Sequence, residues 1–191
     1  MNEKFSFKVR LYLTGIITIA IWSLLTWNHF HGGVPSHHIL ARKDLPEISN
    51  WWGGLLLPLL TWFLLYRTHQ RLATKNDKKS NTSKFPVQII YSFTLALLYG
   101  TLISTLFTLH YTDVLEYVFF GVFLVALFVP IYRAECILGF VIGMTFTFGA
   151  ILPTGVGSIL ALVGAVIYLY VRPALLFIAT MVFRIVSPNK K

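Results

Sequence analysis

The sequence is short of cysteine, of acidic residues and of any fixed catalytic motif. One cysteine, Cys136, excludes an intrachain disulfide and a thiolate metal cage. At the head of an apolar run it reads as a buried, inert side chain. Seven Asp and Glu stand against 16 Lys and Arg, a net charge of +9, and only 12% of residues are charged. That is too little charge to cover a soluble domain of 191 residues. No G-x-S-x-G elbow, P-loop, dinucleotide fingerprint or HExxH pair is present, which removes the common signatures of hydrolases, nucleotide-binding enzymes and zinc proteases. No internal repeat and no soluble domain is apparent.

What is present is apolar. The chain is 56% hydrophobic residues, with a mean hydropathy of +0.70, so the bilayer is its expected solvent. A charge of +9 on a soluble protein would suit nucleic acid. Here the cations fall in the N-terminal tail, one internal loop and the C-terminus, as cytoplasmic segments do under the positive-inside rule. Nucleic acid is therefore not an expected partner.

Taken in order, the apolar runs predict an all-α, polytopic transmembrane bundle of about six spans, with both termini cytoplasmic and residues 1–191 forming one transmembrane domain. Val9–Trp27 is long enough, at about 1.5 Å per residue, to cross a hydrocarbon core of about 30 Å. It lacks the small-residue cleavage site of a signal peptide. The further spans are expected at 51–66, 87–109, 114–131, 136–152 and 156–171. Pro58 is placed to kink the second of these. After Arg172-Pro173 the apolar run continues, too long for one straight span, and 173–186 is expected as a kinked or interfacial helix. Arg67 to Lys84 holds six basic residues against Asp77 and reads as a solvated cytoplasmic loop. A plasma (inner) membrane location follows from the same features. Gly139 and Gly143 form a GxxxG spacing that invites a second helix, from this chain, another copy or a partner subunit. HYTD (His110 to Asp113) and Pro153 to Gly155 are expected as outer turns, with Asp113 and Glu116 forming a capping box.

The polar chemistry concentrates between the first two spans, in HFHGGVPSHHILARKDLPEISNWW. Four of the six histidines lie there. In a six-span topology His29, His31, His37, His38 and His110 share the non-cytoplasmic side with Asp44, Glu47, Asp113 and Glu116. Imidazole and carboxylate are the ligands that Zn(II), Cu(II) and Fe(II) accept when no thiol is offered. The five histidines are thus candidate metal ligands, and Asp44, Glu47 and Glu116 candidate general bases or orienters. The bland reading is that histidines, like Trp27, Trp51 and Trp52, simply sit at a membrane interface. Ala41–Asn50, whose charges cancel, is expected to fold over the bundle, with Asp44 to Glu47 or Ser49 starting a short helix. Three function classes stay open: a metal-binding or metal-assisted membrane protein, a small proton- or solute-coupled transporter or channel subunit, and a structural subunit of a membrane complex.

Overall fold

A computed structural model describes residues 3–34, 36–38, 47–76 and 87–186. The fold is helical: α1 (Glu3–Phe30), α2 (Gly53–Asn76), α3 (Val87–Thr108), α4 (Thr112–Phe128), α5 (Ala134–Phe148), α6 (Ile151–Val166) and α7 (Arg172–Val186). Two three-residue strands, β1 (Ser36–His38) and β2 (Glu47–Ser49), pair between α1 and α2. Three helical stretches, Phe7–Phe30, Val87–Thr108 and Ile151–Val182, are long and apolar enough to cross a membrane, and Ala134–Phe148 is apolar but shorter.

The outward faces carry large apolar side chains, among them Tyr12, Ile19, Tyr117, Phe128 and Phe146. In water such a surface would aggregate, whereas lipid solvates it. Three buried threonines are satisfied within their own helices. Thr61, Thr68 and Thr145 are buried, and each hydroxyl donates to the carbonyl four residues earlier, at 2.7, 2.9 and 2.6 Å. That local bond lets threonine sit inside an apolar bundle without an orphaned donor.

The centre of the bundle is α5. Nine of its 15 residues are buried, enclosed by α2, α3 and α6. At about 1.5 Å per residue it is roughly 22 Å long, less than a bilayer core. Its Val141 and Met144 pack with Leu25, Leu57, Ile103 and Leu160 in the core.

The α3–α5 contact is backbone against backbone. A Cβ added at Gly100 would lie 2.6 Å from the Phe140 carbonyl oxygen, and one at Gly143 would lie 2.5 Å from that of Leu97. At Gly139 it would strike the Phe93 carbonyl oxygen. The GxxxG spacing thus serves an approach within this chain.

Several expectations need correction. The second helix does not end near Tyr66 but runs to Asn76, so Arg67–Asn76 is helical and not loop, while 77–86 lies outside the described residues. The turn expected at Pro153 to Gly155 lies earlier, at Gly149-Ala150, and Pro153 occupies the first turn of α6. There its missing N–H removes no helical bond. The Asp113–Glu116 capping box does not form: the residue before α4 is Tyr111, with no side-chain cap, because α4 starts two residues earlier than the box requires. Just before Pro173, a π turn at Ile167–Val171 joins α6 to α7. Widening the helix just before a proline relieves the ring's clash with the preceding turn. One extra residue in that turn rotates the following face by about 100°. The buried stripe of α6, Pro153, Gly157, Leu160 and Gly164, therefore does not continue, and the described side chains of α7 after Arg172 are all exposed.

Candidate functional site

One end of the bundle gathers the ribbon, the C-terminus of α1 and the α3–α4 and α5–α6 turns. After α1 the chain turns through Gly32 and Gly33, at φ 111° and 93°, values that glycine adopts without a Cβ penalty. The strands then pair antiparallel, with Ser36 opposite Ser49, His37 opposite Ile48 and His38 opposite Glu47. Ser49 accepts a bond from the Trp51 N–H at 3.4 Å and caps the short 3₁₀ turn Asn50–Trp52. This is the Ser49 start expected from the sequence.

That turn docks the loop onto the bundle. Gly149 has φ 70° and lies so close to Asn50 that a Cβ there would collide with the amide. Trp51 packs on Trp22 and on His29, with ring centroids 6.2 and 6.0 Å away. Phe107 stacks on Phe148 at 4.7 Å, which brings the end of α3, and with it His110, to the same end.

Each candidate ligand has a distinct setting. His31 lies flat on Trp27, 3.9 Å between centroids with the planes 13° apart, and its Nδ1 donates to the Trp27 carbonyl at 2.9 Å. That bond fixes the tautomer and leaves Nε2 with its lone pair free for a metal or proton. His29 meets Phe30 and Trp51 edge-on. His110 takes φ 60° in the α3–α4 turn and is exposed. Asp113 and Glu116 are exposed on the first turns of α4. Asp44 lies outside the described residues, and so do the side chains of His37, His38 and Glu47, whose backbone alone is placed. Among the described residues no three His, Cys, Asp or Glu stand where they could share one metal ion.

At the opposite end are two polar features that the sequence reading missed. Glu135, buried to 4% exposure, accepts from Arg71 Nη2 at 2.7 Å. The two residues are 64 apart in the chain, and nothing in either segment signals the pairing. The other carboxylate oxygen, Oε2, is buried without a partner. Arg10 lies inside an aromatic cage, its guanidinium carbon 4.7 Å from the Trp62 centroid, 5.2 Å from Tyr66 and 5.7 Å from Phe7. Cation–π attraction keeps that charge at the end of an apolar helix. Compared with protein families, with curated proteins and with solved structures, the chain shows no match.

Proposed function

We propose that this chain is a six-span protein of the plasma (inner) membrane, with both termini in the cytoplasm, whose ribbon end faces outward and binds a divalent transition metal. The observation that supports this reading most is the register of the ribbon, in which His38 pairs with Glu47 and His37 with Ile48. A histidine and a carboxylate at paired positions can supply either two ligands or one ligand and its orienting partner. His31, with Nε2 left free, and His29 and His110 at the same end of the bundle are the candidates to complete the set. Asp44 and Glu116 are the remaining carboxylates for a general base if bound water is activated. The transport alternative draws on Glu135, a buried carboxylate with one unpartnered oxygen, since intramembrane acids commonly mark ion paths.

Two measurements test the reading. With Cys136 replaced by Ser, single cysteines at Ser36 and Ser80 are expected to react with an impermeant maleimide from opposite sides of sealed vesicles. Labelling from the same side would overturn the topology. Protein purified without a His tag or chelating resin is expected to carry about one equivalent of Zn, Cu or Fe. The His37→Ala/His38→Ala variant should lose it and His69→Ala should keep it. Metal-free wild-type protein that also fails to bind added Zn(II) would remove the metal site and leave transport as the standing reading.

A further inference from the structure

A cavity of about 630 Å³ opens between α3, α4, α5 and α6, in the half of the bundle away from the ribbon. Its α3 wall is one helical stripe, Gln88, Ser92, Leu95 and Tyr99. At about 1.5 Å per residue this stripe is about 16 Å long, close to the depth of one bilayer leaflet. The inner part is apolar, bounded by Val122, Phe140 and Leu160. The Tyr99 hydroxyl there is already spent on the Val118 carbonyl at 2.9 Å. The outer part is polar and carries one cation, Arg133, with Gln88 and Ser92 across from it.

Arg133 is half-buried at the head of α5, and its side chain caps nothing. Glu135, two residues along the chain, pairs through Oε1 with Arg71. Among the described residues no hydrogen bond or ion pair engages the Arg133 guanidinium. A half-buried, unpaired arginine at the rim of a leaflet-deep apolar slot offers what a phospholipid with an anionic headgroup requires. The slot takes one acyl chain, and the planar guanidinium takes phosphate oxygens two at a time.

We propose that this cleft is a binding site for an anionic phospholipid drawn from the leaflet at the Arg133 end. The site rests on the membrane topology above but not on the metal reading. In that topology the leaflet is the cytoplasmic one, where anionic lipids concentrate. The chain enters sideways between α3 and α4, whose facing residues Leu95, Val125 and Val129 are apolar and exposed. The headgroup stops at Arg133.

The test uses the full chain in phosphatidylcholine vesicles doped with a phosphatidylglycerol or a phosphatidylcholine carrying a diazirine on one acyl chain, with crosslinks mapped by peptide mass spectrometry. The phosphatidylglycerol probe is expected to label cleft residues about fivefold more than the phosphatidylcholine probe, the ratio that one cation near the surface supports. Arg133→Gln should bring that ratio to one. Ala161→Trp, which fills the slot, should remove cleft labelling by both probes while labelling of α1 at Tyr12 and Ile19 persists. Equal cleft labelling by the two probes in the wild-type chain would overturn the proposal, as would a ratio unmoved by Arg133→Gln. Among the described residues Arg133→Gln removes no cap and no ion pair, so it carries the test even if the tryptophan variant fails to fold. Absence of labelling on α1 as well would strike the membrane reading itself.

Discussion

Replacing Gly139 or Gly143 with valine is expected to break the α3–α5 contact and destabilise the bundle by about 3 kcal/mol or more for each change. Backbone carbonyls of Phe93 and Leu97 stand where the new side chains must go, and backbone in a helix cannot rotate aside as a side chain can. A loss of that size is a large share of the 5–15 kcal/mol that holds a typical domain together. The measurement is thermal unfolding in mild detergent, followed by the fraction of monodisperse protein recovered. Gly121→Ala and Gly155→Ala are the matched controls, since nothing lies within 4 Å of a Cβ at either. Both should hold or slightly raise stability, because alanine is the better helix former by about 1 kcal/mol. Stability of Gly143→Val within about 0.5 kcal/mol of wild type would mean that the close approach is not a principal contact.

The second large effect is expected at the buried ion pair. Arg71→Ala leaves the Glu135 carboxylate, 4% exposed, without the one cation that pairs with it among the described residues. A buried charge stripped of its partner costs several kcal/mol, and because the Arg71 side chain is itself 39% exposed, about 2 kcal/mol is expected here. Adding Glu135→Leu to Arg71→Ala should recover most of that loss, since an apolar side chain of similar size needs no partner. A double-mutant cycle of chemical denaturation in mixed micelles reads the coupling directly. If Arg71→Ala alone costs nothing, the pair contributes nothing to folding.

The helical, apolar character of the chain was legible because it rests on local properties, hydropathy and run length. Three stretches pass that reading outright in the folded chain. The α5 helix was legible as an apolar run, but its role at the centre was not, since burial depends on which helices surround it. Gly139 and Gly143 could be picked out by spacing, whereas their partner Gly100 carries no such mark and is defined only by where α3 lies. The turn at Gly149 was missed because Pro153 is a strong local signal for a break. In α6 that proline serves equally well in the first turn, and the contact with Asn50 decides between the two. The Arg71–Glu135 pair was not legible because Arg71 sat in what read as a loop. At the ribbon end, Ser49 was legible as a cap, but the face-to-face stacking of His31 on Trp27 was not. Its spacing of four residues is common in helices and specifies no ring geometry.

The pairing of α3 with α5 across the intervening α4 also has a temporal side. A chain is synthesised from its N-terminus, so α3 and α4 are complete before α5 exists. In that interval the glycine face of α3 has no backbone to meet. Its tether to the newly made α4 includes the hydroxyl of Tyr99 on the Val118 carbonyl. The arrival of α5 therefore closes the bundle late and from a distance in sequence, the kind of contact that slows assembly. A ribosome that stalls within α5 would leave a hairpin with an unfilled seam, a natural mark by which an unfinished copy differs from a finished one.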